Sequence, residues 1–293
     1  MNKIVLIGQN GQVTRYLQGV FKSDNYHVEA LSRDQLDLTQ TNSIQAALEL
    51  SAPSLIINPA AFTAVDLAEE QQQEAQLINR DAVAEIAAYS AKTNTPLIHF
   101  STDYVFAGDA DQPYLETDKP EPSGVYGQSK LEGEQAILKA EAPALILRTA
   151  WVYSNQGKNF YKTMLNLAAS RDELSVVGDQ IGAPTYAGSI ADAVKQLADI
   201  IIQQGGIKQE QCGVYHFTCQ GQTSWADFAK AIFVENEVNN ISVNSITTQE
   251  YPTPAKRPAY SVLNGSKLND VFGVSLPHWG TALAHCAAET KAL

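Results

Sequence analysis

Ile4-Val5-Leu6-Ile7-Gly8-Gln9-Asn10-Gly11 opens the chain with an apolar run of strand length that stops at a glycine turn. A helical pattern, Leu17 to Phe21, comes next. In that context a glycine-rich turn lets backbone amides approach a pyrophosphate at a helix N-terminus. Gly8, Asn10 and Gly11 are therefore the first candidate cofactor-binding residues. The spacing GxxGxxG would place a third glycine at position 14, where the chain has Thr14. That glycine serves helix-sheet packing, so an altered helix approach is expected rather than a lost site.

The pattern repeats outward from this stretch. Apolar runs at His27 to Leu31, Leu55 to Ile57, Leu97 to Phe100 and Ala144 to Leu147 alternate with helical segments at Ile44 to Leu50, Glu69 to Ala91 and Gln128 to Lys139. Buried strands alternating with helices predict an α/β fold, a Rossmann-like doubly wound parallel sheet. We assign residues 1–150 to a dinucleotide-binding domain, with a segment near 186–218 returning to it. Beyond Thr149, Gly and Pro punctuation marks a smaller α/β region over 151–293, mainly for substrate, with helices expected at Ser189 to Ile202, Trp225 to Val234 and Lys267 to Phe272. Open α/β sheets bind ligands at their carboxyl edge, where this region would close.

Composition narrows the function. A net charge of -12 does not suit neutralising a phosphate backbone, so nucleic acid is not an expected partner. No stretch approaches the ~20 apolar residues of a membrane span, so no membrane is expected either. Three cysteines without CxxC spacing and five scattered histidines suggest neither a disulfide framework nor a zinc site, and a reducing cytoplasm is the expected location.

The second strand ends at Leu31-Ser32-Arg33-Asp34. An acid there would bind the ribose hydroxyls of NAD, whereas Arg33 suits the 2′-phosphate of NADP, so NADPH is the expected donor with NADH as the alternative. Asp37-Leu38 and Ala60-Ala61 fall where later turns flank the adenine and ribose. Tyr126 and Lys130, in Val125-Tyr126-Gly127-Gln128-Ser129-Lys130, share one helix face. A phenol of pKa ~10 becomes useful at neutrality only if a nearby cation favours the phenolate, and a shift of ~3 units needs about 4 kcal/mol. Thr102, at the end of the Leu97 to Phe100 strand, would polarise a substrate carbonyl while Tyr126 protonates it and Lys130 holds the ribose and lowers the Tyr126 pKa.

These motifs together resemble the extended short-chain dehydrogenase/reductases, and within them the dTDP-4-dehydrorhamnose reductases. Matching segments run in order along the chain: Gly11-Gln12-Val13, Asn58 to Asp66, Ser101 to Phe106, Val125 to Glu134, Arg148 to Tyr153, Gly182-Ala183-Pro184-Thr185 and Arg257-Pro258. The resemblance implies Thr102, Tyr126 and Lys130 as a catalytic triad. It adds Gln12, Val13 and Thr63 to the cofactor contacts and sets Asp103, Tyr104 and Trp151 around the sugar, where an indole face packs on a deoxysugar. Arg257 would grip the substrate diphosphate.

The implied reaction is NADPH-dependent reduction of the C4 ketone of a dTDP-sugar, dTDP-4-dehydro-L-rhamnose. Magnesium is described in some members of the family, but Arg15, Tyr16 and Gly188 occupy the corresponding neighbourhoods, so no metal is expected, nor a homodimer held by one; a homodimer of another kind stays open. Two rivals remain: another nucleotide-ketosugar reductase, epimerase or dehydratase, and a non-catalytic NADP-binding regulatory subunit. Asp103-Tyr104 in place of the Asp-Glu of dehydratases favours simple reduction, and an intact triad argues against a silent subunit.

Overall fold

The computed structural model describes residues 2–22 and 26–292. Six strands form one sheet: β1 (Asn2–Ile7), β2 (Tyr26–Leu31), β3 (Leu55–Asn58), β4 (Leu97–Thr102), β5 (Ala144–Thr149) and β6 (Gly213–His216). Their order is β2-β1-β3-β4-β5-β6, and every pairing is parallel. The order reverses between β1 and β3, which opens a crevice at their carboxyl ends.

Successive strand residues point to opposite faces, and here both faces are covered. Ile4, Leu6, Leu55, Ile57, Ile98 and Leu145 pack on Leu17 of α1 (Gln12–Val20) and on Val194 and Leu197 of a long helix, Ala187–Gln203. Val5, Ile7, Ile56, Leu97 and Ile146 pack on α2 (Thr41–Ser51), α3 (Ala82–Thr93) and Ile137 of α4 (Val125–Lys139). This is the doubly wound sheet that the strand-helix alternation predicts. The first apolar cluster continues into Tyr153, Phe228, Ile232 and Leu283, so the carboxyl-terminal helices Trp225–Glu235 and Trp279–Lys291 share it. Short strand pairs stitch that region together, Glu173–Val177 with Ser242–Ile246 and Val152–Tyr153 with Thr185–Tyr186.

Two elements differ from the sequence expectation. Glu69 to Ala91, read as one helical stretch, is broken into Val65–Glu70, Gln72–Gln76, a π turn at Leu77–Asp81 and α3. The π turn faces fully buried Asn79 inward, and such turns frequently mark functional sites. Helix α4 starts at Val125 rather than Gln128, because Glu69 Oε1 accepts the Val125 amide at 2.9 Å and satisfies an amide of the first turn. Tyr126 and Lys130 thus lie on one helix, as their spacing predicts. No helix among the described residues is long and apolar enough to cross a membrane.

Candidate active site

A cavity of about 580 Å3 lies at the carboxyl edge of the sheet, over the β1/β3 reversal. Gly8, Gly11, Gln12 and Val13 form one wall, Ala60, Ala61 and Thr63 a second, and Thr102, Asp103, Tyr104, Tyr126, Lys130 and Trp151 lie opposite among other lining residues. Gly8 sits at φ +86°, a left-handed backbone open to glycine, and a Cβ there would approach the Ala60 Cβ to 3.2 Å. No side chain caps the N-terminus of α1, so its first amides remain free for an anion. These features fit the pyrophosphate of a dinucleotide. Thr14 is buried in α1 and also lines the cavity.

Asn79 ties the two walls together. Its side chain accepts from Phe62 N at 2.9 Å and donates to Phe62 O and to Ser129 Oγ of α4, at 3.1 and 3.0 Å. The loop holding Ala60 to Thr63 is thus fixed to the helix that carries Tyr126 and Lys130. A second tie is the buried ion pair of Glu134 with Arg148, bidentate at 2.9 and 2.7 Å, which also takes the Ser101 hydroxyl. Breaking such a pair by removing one partner leaves a buried charge and costs several kcal/mol.

Thr102 and Tyr126 line the same cavity, and burial, outweighing the influence of the neighbouring Thr102 hydroxyl, pushes the Tyr126 phenol well above its ordinary value. The sequence expects Lys130 to pull it down. Lys130 is instead engaged elsewhere: it donates to the Phe100 carbonyl at 2.7 Å, and its Nζ lies 3.3 Å from His99 Nε2. Burial lowers Lys130 to about 8, against the opposing pull of Glu134. In this state Tyr126 is a firmly protonated donor. The Thr102 hydroxyl likewise differs from expectation, since it donates to Asp103 Oδ1 at 3.0 Å.

Trp151 has φ +49°, unusual for a bulky residue, and its ring stacks on Trp225 with centroids 3.5 Å apart and planes 8° from parallel. Gly182 makes room for it, because a Cβ there would lie 2.5 Å from the indole. Tyr104 meets Tyr126 edge to face, with centroids 5.5 Å apart.

Asn10, Arg33, Asp37, Leu38 and Arg257 do not line the cavity. Arg33 is exposed and reaches Asp37 Oδ2 at 3.5 Å, while Asp37, lowered chiefly by hydrogen bonds from Thr39, is turned toward its own loop. Leu38 is buried in the core beside α2. Arg257 is held by Asp66 at 2.6 Å, with Tyr104 Oη 3.4 Å away, which places it beside Tyr104 with one edge already engaged. The sequence reading missed Lys158, Asn159 and Phe160, which line the cavity at the start of the helix Phe160–Ala168, and Trp225. The Asn159 cap before an apolar helix was the available signal. Among the described residues no cluster of His, Cys, Asp or Glu is arranged to hold a metal ion.

Comparison with known proteins agrees with this arrangement. The sequence profile of the RmlD substrate binding domain matches residues 1–292. A dTDP-4-dehydrorhamnose reductase of Sinorhizobium fredii is 42% identical over 280 residues, 94% of each chain. The crystal structure of a dTDP-4-dehydrorhamnose reductase from Clostridium acetobutylicum superposes with a TM-score of 0.91 at 37% identity, covering 99% of both chains. That of the Bacillus anthracis enzyme in complex with NADP gives 0.91 at 34% identity, over 99% of this chain and all of the other. With a glycine turn, a Thr-Tyr-Lys set and full-length similarity of this degree, the chain belongs to the RmlD family of dTDP-4-dehydrorhamnose reductases.

Proposed function

We propose that the protein reduces the C4 ketone of dTDP-4-dehydro-L-rhamnose with NADPH, giving dTDP-L-rhamnose. The observation that carries this reading is the gathering of Thr102, Tyr126 and Lys130 into one cavity with the glycine turn and the Ala60 loop. NADPH, when bound, supplies the hydride. Gly8, Gly11, Gln12 and Val13 would hold its pyrophosphate end, Ala60, Ala61 and Thr63 the adjacent ribose, and Arg33 a 2′-phosphate reaching past the cavity rim.

The chain's own part is positioning and proton supply. Tyr126, kept protonated by burial, delivers its phenolic proton to the oxygen that gains charge at C4. Thr102, in the same cavity wall as Tyr126, would orient that oxygen. Trp151, braced by Trp225, offers an indole face to the deoxysugar, with Asp103 and Tyr104 on its flanks. Arg257 lies beside Tyr104 for the diphosphate. Phe160, Trp151 and Trp225 supply the apolar side of the cavity around the reacting centre.

The test is loss of reduced-nicotinamide absorbance with enzymatically prepared dTDP-4-dehydro-L-rhamnose. Oxidation that depends on the sugar supports the reading. Tight NADPH binding with no turnover would return the protein to the regulatory alternative.

A further inference from the structure

Helix α4 meets the sheet along a buried polar seam where apolar contacts would be expected. On the face beneath it Asn58, His99 and Ser101 replace aliphatic residues, and Asn58 and His99 are register partners on β3 and β4. Asn58 and His99 are fully buried and Lys130 is 1% exposed. Burying so many polar groups costs free energy unless each is matched. Asn58 Nδ2 lies 3.1 Å from His99 Nδ1, and His99 Nε2 lies 3.3 Å from Lys130 Nζ.

The matching determines where protons sit. Asn58 Oδ1 accepts the Ala60 amide at 3.2 Å, which orients the Asn58 amide so that its NH2 faces His99 and donates. His99 Nδ1 is then an acceptor. Burial holds the imidazole neutral, well below its ordinary value, so with Nδ1 accepting its one proton is on Nε2, aimed at Lys130. An ammonium has no lone pair to receive that N–H, whereas a neutral amine does.

We propose that His99, oriented by Asn58, is a positioning residue for Lys130 that presents an Nε2–H to its Nζ and so favours the amine over the ammonium. The opposing influence is Glu134 on the same helix face, whose carboxylate is tied to Arg148 on β5 and Ser101 on β4. Tyr126 is the remaining titratable neighbour on α4. With the ammonium disfavoured, Lys130 becomes a stronger acid: its N–H bond breaks more readily, the proton released can restore the phenol O–H of Tyr126 through an intervening hydroxyl or water, and the amine left behind takes its next proton from solvent. The arrangement also links Lys130 to the Ala60 amide of the cofactor loop through one unbroken hydrogen-bonded chain.

This inference rests on the reductase reading, and its experiment separates the two. Asn58→Asp keeps the acceptor for Ala60 and gives His99 Nδ1 a carboxylate to donate to. The proton then leaves Nε2 and a lone pair faces Lys130. His99→Gln can likewise turn a carbonyl to Nζ. In both variants the alkaline limb of the kcat profile at saturating substrate is expected to move up by at least ~1 pH unit. A limb that stays in place while kcat falls equally at every pH overturns the proposal. Independently of turnover, 15N spectra of wild-type protein at pH 9 should show the buried His99 protonated on Nε2, with the His99→Gln spectrum assigning the signal; Nδ1 protonation there overturns it. Absence of turnover in the wild type would count against the reductase reading and leave the tautomer result standing.

Discussion

Thr102 donates its hydroxyl to Asp103, the next residue in the chain, while Asp103 Oδ2 is buried without a partner. A cavity-lining hydroxyl thus donates to a carboxylate that is 1% exposed. Burial raises the Asp103 carboxyl from 3.8 to about 6. Because the folded state binds the carboxyl's own proton more tightly than the unfolded one, the stabilisation is complete below pH 3.8 and is lost as pH rises through about 6. Above that range a charge is buried at a cost. Asp103→Asn should therefore raise the Tm at pH 7.5, corresponding to at most ~3 kcal/mol, and the gain should shrink towards pH 4. Thermal melts across that pH range check it; a variant less stable at every pH would contradict it.

Tyr126 is expected to act only in the chemical step. Tyr126→Phe keeps the ring packed against Tyr104 and removes the proton, so kcat should drop ~100-fold or more with NADPH affinity within a few-fold of wild type. Fluorescence titration of NADPH alongside steady-state kinetics separates the two effects. Unchanged turnover removes Tyr126 from the mechanism.

The spacing of Tyr126 and Lys130, the strand-helix alternation and the glycine turn are local patterns, and they were legible because each depends on neighbours a few positions apart. The partners of Lys130 were not. His99 and Asn58 come together only through the register of β3 on β4, and no periodicity in either segment states which strand lies beside which. The same limit explains Trp225, whose stacking on Trp151 joins residues far apart in sequence. The break in the Glu69 to Ala91 helix has a different origin: its residues are good helix formers, and the π turn at Asn79 is a tertiary arrangement overriding propensity.

Arg33 tests the choice of cofactor. Its guanidinium is exposed and only loosely paired with Asp37, leaving it able to meet a 2′-phosphate. Arg33→Gln should lower the ratio of kcat/KM for NADPH over NADH by ~10-fold, as expected for one charged hydrogen-bonding group. An unchanged ratio would assign the preference to another residue.

Gly182 tests the sugar platform without touching the cofactor wall. A methyl there must displace the Trp151 indole and open its stack on Trp225. Gly182→Ala is expected to raise KM for the sugar by up to ~10-fold, while NADPH affinity is retained. Loss of both affinities together would mean that the substitution disturbs the fold rather than the platform.

The central claim is that hydride reaches C4 of the sugar in this cavity. The most direct measurement uses NADPH deuterated at both C4 positions of its nicotinamide ring with dTDP-4-dehydro-L-rhamnose, and reads the product by mass and NMR. The account predicts dTDP-L-rhamnose carrying one deuterium at C4. A product without deuterium, or label at any other carbon, would contradict it.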